Sequence, residues 1–222
     1  MSANIDALEY ELRPARGEGE GALVLLHGRG TDQFDLLPVL DQLDPERRLV
    51  GVTPRAPLEL SRGAFHWYIS RAVGYPDHDT FHATYDLVAG WLDALPEALG
   101  VPWSRTVLGG FSMGAVMSYA LGLGAGRTAP AGILALSGFI PTVDDFEVDL
   151  SGRQGYPVAI GHGTEDPVIS VDFARDARHR LETAGARVLY RESRMFHGID
   201  PVFIHVLHNW LADTIPVAER QT

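Results

Sequence analysis

Short runs of Val, Ile, Leu and Ala alternate along the chain with longer stretches in which apolar residues recur every three or four positions. The short runs are Ala22–Leu26, Leu49–Thr53, Thr106–Leu108, Gly132–Leu136, Val158–Gly161 and Val188–Arg191. Apolar on both faces, they read as strands of a buried parallel sheet, and Tyr10–Arg13 adds an edge strand. Helices are predicted at Asp35–Leu43, Thr80–Leu99, Met113–Leu123, Val171–Ala184 and Pro201–Asp213, several announced by a small polar cap or an early proline. In the longest, Phe81, Tyr85, Val88, Leu92 and Leu95 form one stripe, which reads as core. The alternation predicts an α/β fold, a mostly parallel central sheet with helices on both faces.

One stretch breaks the alternation. From Pro54 to Asp79 the chain is irregular and carries Pro54, Pro57, Gly63, Gly74 and Pro76 together with Phe65, Trp67 and Tyr68. A loop this long and this aromatic inside a compact domain reads as a binding loop.

Composition narrows the chemistry. The 222 residues show no second hydrophobic core, repeat or linker, so one domain spanning 1–222 is expected. All 18 cationic residues are arginine, which excludes lysine Schiff bases, pyridoxal phosphate attachment and the Walker A phosphate loop. The absence of cysteine excludes disulfides, thiolate metal sites and thiol nucleophiles. With a net charge of −11 and scattered arginines, no nucleic-acid partner is expected, and a small molecule is. The acidic stretch Met1–Tyr10 has no signal-like apolar core, and no run approaches about 18 apolar residues. The cytoplasm, with no stable membrane association, is the expected setting.

The sharpest motif is Gly110-Phe111-Ser112-Met113-Gly114, between the strand at Thr106–Leu108 and the helix beginning at Met113. By composition a G-x-S-x-G pattern arises by chance about 0.1 times in such a chain, so its strand-turn-helix setting carries the weight. A nucleophile at such a turn is held in strained backbone, and flanking glycines remove side chains that would collide. Read without function, it is a tight turn with a capping serine.

A serine nucleophile needs a base, and the base needs a carboxylate to orient it. Of the nine histidines, His197 lies in a loop after the last strand, where the chain returns to the C-terminal edge of the sheet. His179 reads as solvated, His205 and His208 fall in the terminal helix, and His162 reads as a support for the loop bearing the acid. In that loop Asp166 is preferred and Glu165 is its rival. The order Ser112, Asp166, His197 is that of α/β-hydrolases, and the shorter carboxylate suits a loop end. Asp144, Asp145 and Asp149 read as a solvated loop. An oxyanion hole would draw on the Met113 amide and on the glycine-flanked segment His27-Gly28-Arg29-Gly30.

Taken together, these motifs resemble the phospholipase/carboxylesterase group of small α/β-hydrolases, which includes bacterial carboxylesterases and acyl-protein thioesterases. His27-Gly28-Arg29-Gly30 looks like its oxyanion segment, Gly110 to Gly114 its elbow, Gly161-His162-Gly163 through Asp166-Pro167-Val168 its acid loop, and Phe196-His197-Gly198 its histidine loop. The resemblance implies Ser112, Asp166 and His197 as catalytic residues and the amides of Arg29 and Met113 as oxyanion donors. Two positions depart from the familiar pattern: Met113 stands where glutamine is frequent, and Arg29 where leucine is common. The Arg29 guanidinium either attracts a substrate carboxylate or turns away to pair with a surface acid, and the second reading is favoured. Phe34, Phe65, Trp67, Tyr68, Met195 and Phe196 are expected to wall an acyl pocket, though any of these aromatics also suits ordinary core.

The reading is a serine hydrolase cleaving carboxylic esters of short to medium acyl chain through an acyl-enzyme, with no cofactor. Alternatives are a thioesterase or lysophospholipase-type activity at the same site, or a catalytically silent binding module. Homodimerisation is common in the resembling family, and a homodimer is carried over here as an analogy only. His78 and His82 beside Asp77 and Asp79 form a minor zinc candidate, with an exposed helix start preferred and no metal expected.

Overall fold

A computed structural model describes residues 4–217; residues 1–3 and 218–222, the ends of the span expected as one domain, lie outside the described residues. In chain order the strands are β1 (Tyr10–Arg13), β2 (Ala22–Leu26), β3 (Val50–Pro54), β4 (Leu58–Ser61), β5 (Ala64–His66), β6 (Ser70–Ala72), β7 (Tyr75–Pro76), β8 (Thr106–Phe111), β9 (Gly132–Leu136), β10 (Pro157–Gly163) and β11 (Arg187–Ser193). The helices are α1 (Leu37–Leu43), α2 (His78–Leu99), α3 (Met113–Leu123), α4 (Val171–Thr183) and α5 (Pro201–Thr214).

Seven strands form one sheet in the order β1-β3-β2-β8-β9-β10-β11. All neighbours run parallel except β1, which pairs antiparallel with β3 at the edge. Alternation of side chains along the strands divides the core. Leu23, Leu25, Val107 and Leu134 meet α1 and α5 on one face. Val24, Leu26 and Leu108 meet α2 and α3 on the other, and there Ile133, Val158 and Ile160 meet α3 and α4. This is the α/β-hydrolase architecture, with helices on both faces. Each fully buried Leu or Ile contributes roughly 1.5–3 kcal/mol.

Helix boundaries follow local chemistry. Asp77 caps α2 by accepting from the Thr80 amide, and Gly100 ends the helix in the left-handed region. Asp200 caps α5 ahead of Pro201. Along α2 the stripe holds, with Thr84 and Trp91 added, except that Tyr85 is only half-buried and packs on Phe146.

The irregular stretch from Pro54 to Asp79 is more ordered than its sequence predicts. It contains two short hairpins, β4–β5 and β6–β7, and α2 begins at His78. The first hairpin is clamped to the loop after β2: Gly30 N donates to Phe65 O at 2.7 Å, and Phe65 N to Thr31 O at 2.9 Å. Strands this short carry too little periodicity to register as a pattern. Among the described residues no helix is long and apolar enough to cross a membrane.

Candidate active site

The sheet delivers four segments to one edge. They are the loop after β2, the turn between β8 and α3, the loop after β10, and the segment joining β11 to α5. Parallel strands all end on the same side, where ligands gather in open α/β sheets.

Ser112 occupies the turn after β8 with φ 54° and ψ −118°, a positive φ that a non-glycine residue adopts only under constraint. The constraint is the packing of β8 and α3 against β2. A Cβ on Gly110 would lie 2.6 Å from the Leu26 carbonyl oxygen and from the Gly114 backbone. One on Gly114 would lie 2.6 Å from the His27 oxygen and nearer still to that of Leu26. The hydroxyl does not cap the helix it precedes and is free for another partner.

That partner is His197, whose Nε2 lies 2.9 Å from Ser112 Oγ. On the far side of the ring, Nδ1 lies 2.7 Å from Oδ2 of Asp166. The Asp166 side chain is fully shut off from solvent, and its Oδ1 accepts from the amides of Val168 at 2.8 Å and Ile169 at 2.9 Å. Burial alone would raise its pKa, but the hydrogen bonds from His197, Ile169 and Val168 outweigh it and hold the carboxyl below the usual value. The loop bearing the imidazole is fixed at several points. Gly163 admits the Met195 and Phe196 carbonyls where any side chain would collide, and Glu165 N donates to Met195 O at 3.1 Å. Ser137 Oγ donates to Gly198 O at 3.0 Å. Asp200 accepts from Arg191 Nε at 2.6 Å and from Ser193 Oγ at 2.5 Å. The Phe111 ring lies over the imidazole, with centroids 4.9 Å apart.

The rival residues go elsewhere. Glu165 is engaged by Arg194 Nε at 2.8 Å. His179 and His205 are exposed on helices, and Asp144, Asp145 and Asp149 are exposed on their loop. His162 supports the acid loop by way of Ile169 O, 2.8 Å from its Nε2. The His78 and His82 rings pack at a tilt with centroids 4.6 Å apart, while His82 Nε2 meets the Asp144 carbonyl. Among the described residues no group of three or more His, Asp or Glu is arranged to hold a metal.

The loop after β2 sits directly over the serine. A Cβ built on Gly28 would lie 3.1 Å from the Phe111 ring and 3.7 Å from Ser112 Cβ, so this backbone packs closely against the turn that carries the serine. His27 holds this loop from beneath. Its Nδ1–H donates to Gly28 O at 2.7 Å, and its Nε2 accepts from Ala56 N at 3.0 Å. Both bonds are satisfied only by the neutral ring, and burial lowers its pKa. Among the described residues neither the Arg29 amide nor the Met113 amide donates to a protein acceptor, and the latter opens α3, where helix amides lack partners.

The expected acyl wall is only partly open. Trp67 and Tyr68 are buried core residues, which corrects the expectation that they line a pocket. Trp67 Nε1 donates to His27 O at 2.8 Å, and Tyr68 packs edge-on against Phe81. The apolar layer between β2, α2 and α3 takes in both rings, and Trp67 props the loop above it. Phe65 is half-buried under the Arg55 guanidinium, Met195 is half-buried, and Phe34 and Phe196 are exposed. Sequence reasoning missed four supports: the tether at Ser137, the ring of Phe111, the role of His27 and the cluster around Asp200. Only the last left a signal, in the Asp200-Pro201 helix start.

Comparison with known proteins agrees with this architecture. A sequence model of the family described as Phospholipase/Carboxylesterase matches residues 10–215. Acyl-protein thioesterase 1 of Candida albicans is 27% identical over 194 residues, covering 79% of this chain and 84% of that protein. The Bacillus cereus carboxylesterase structure superposes with a TM-score of 0.81 at 21% identity, over 93% of this chain and 94% of that one. The Mesorhizobium loti carboxylesterase gives 0.81 at 23% identity, over 93% and 95%. At these identities the two structures speak to the fold.

Proposed function

The chain belongs to the phospholipase/carboxylesterase family of hydrolases, and from that premise we propose that it cleaves carboxylic esters of short to medium acyl chain through a serine-bound acyl-enzyme. The observation that carries this reading is the unbroken hydrogen-bonded chain from Ser112 Oγ through both nitrogens of His197 to Asp166. As the Oγ attacks the carbonyl, His197 Nε2 accepts its proton, and the buried Asp166 carboxylate keeps Nδ1 protonated and steadies the imidazolium. The amides of Arg29 and Met113 receive the oxyanion, each donor worth about 3 kcal/mol in the transition state. His197 then protonates the leaving alcohol. Water, deprotonated by the same nitrogen, attacks the acyl-enzyme and releases the acid.

No group beyond these residues is required. Phe34 and Phe196 are 53% and 66% exposed, apolar surface available to an acyl chain. A panel of p-nitrophenyl esters of graded length, with Ser112→Ala as control, tests the reading. Fluorophosphonate labelling at Ser112 separates an enzyme from a silent binding module, which would not react.

A second reading, thioester hydrolysis, is favoured by the likeness to an acyl-protein thioesterase. The same nucleophile and oxyanion donors serve it. Acyl-thioesters run beside the oxygen esters decide between the two.

A further inference from the structure

Oxyanion stabilisation uses only the backbone of residue 29, yet the position carries a long cationic side chain. Of the exposed arginines, Arg71, Arg175, Arg178 and Arg194 each find a carboxylate, whereas Arg16, Arg29, Arg62 and Arg187 find none among the described residues. What sets Arg29 apart is its place: it follows Gly28, which packs against Phe111 and Ser112. Among the described residues Arg29 makes no ion pair and no side-chain hydrogen bond, and it is exposed. The reading in which it turns away to a surface acid therefore has no partner in the structure. The two acids closest in sequence are engaged by their own loop: Asp32 accepts from the Phe34 amide at 3.0 Å, and Asp35 from Thr31 Oγ1 at 3.2 Å.

The tether of this guanidinium is fixed. Gly28 lies against Ser112, Gly30 is held to Phe65 O in a positive-φ turn, and His27 and Trp67 support the segment from below. A cation anchored one residue from the Gly28 contact and left unneutralised can reach a group a few bonds from the scissile carbonyl. We infer that Arg29 is a specificity-determining residue that selects esters carrying an anionic group, a carboxylate or a phosphate, near the reacting carbonyl. This rests on the hydrolase reading above and narrows its substrate class. Planar guanidinium geometry suits two-point binding of such an anion better than a lysine ammonium would. Burial lowers the pKa of His66, and the Arg29 guanidinium lowers it further.

The test compares matched esters. Hydrogen glutarate and valerate p-nitrophenyl esters differ by a terminal carboxylate on the acyl side. Acetate esters of a carboxylated and a plain nitrophenol differ on the leaving-group side. The quantity read is the ratio of kcat/KM for the anionic over the neutral member, which cancels any shared effect of a substitution on the loop. In Arg29→Leu this ratio falls at least fivefold in one pair, Arg29→Lys retains part of it, and added salt lowers it in the wild type but not in Arg29→Leu. Ratios unchanged in both pairs overturn the inference while leaving the esterase intact. A wild type that cleaves no ester faster than Ser112→Ala overturns the hydrolase reading, and the inference with it.

Discussion

The Nε2 of His162 lies 3.3 Å from Oδ2 of Asp166, with both side chains closed to solvent. The same carboxylate oxygen receives His197 Nδ1, so the acid is held between two imidazoles. Because His162 also donates to the Ile169 carbonyl, it ties both ends of the turn carrying Asp166. In the proposed mechanism it is a positioning residue, reaching the serine only through Asp166 and His197.

His162→Phe keeps the ring volume and removes the donor. The expected outcome is a fall in kcat on the order of tenfold with KM nearly unchanged, since the loss is one of alignment. Steady-state kinetics with a p-nitrophenyl ester checks it, and wild-type kcat would refute the role.

Acidification should destabilise the fold through His27 and His162. Burial lowers the pKa of each below the ordinary 6.5, against smaller opposing effects of hydrogen bonds and nearby carboxylates. A base buried neutral binds fewer protons folded than unfolded. Its stabilising effect is therefore complete above about 6.5 and is lost as pH falls through the lowered values. Thermal unfolding between about pH 7.5 and 5 should show a falling midpoint, with a shallower fall in His162→Phe. A flat profile would refute the assignment.

The two candidate acids separate cleanly by substitution. Asp166→Asn leaves His197 without a carboxylate and is expected to lower kcat by about 10⁴. Glu165→Gln breaks an exposed ion pair with Arg194 and should change kcat less than twofold, because such pairs contribute only about 0–1 kcal/mol. Parallel kinetics on the two variants reads the difference, and equal losses would undo the assignment.

Trp67 is expected to matter without touching substrate. Trp67→Phe leaves the buried His27 carbonyl short of its donor, at a cost of about 1–3 kcal/mol. The loop above should loosen, lowering both the unfolding midpoint and kcat. A variant with unchanged midpoint and a raised KM alone would instead favour Trp67 as pocket wall.

Much of this molecule is legible in one dimension. Runs such as Ala22–Leu26 and Gly132–Leu136 are strands because a buried parallel sheet demands apolar side chains on both faces, which is a local statement. The G-x-S-x-G turn is legible because its glycines mark where β8, α3 and β2 leave no space for a Cβ. The hairpins β4–β5 and β6–β7 were not, since strands of two to four residues lack a readable period.

What the sequence by itself determined is the α/β alternation and the strand-turn-helix setting of Ser112, both encoded in patterns spanning a few residues. Tertiary structure alone decided that Asp166 rather than Glu165 meets His197, that Trp67 and Tyr68 lie inside, and that Arg29 stands without a carboxylate partner. The physical reason is the same in each case. Hydrogen bonds, burial and ion pairing depend on which surfaces the sheet brings together across 31 to 85 residues of chain, as in the His197 contacts to Asp166 and Ser112, and no local pattern records them.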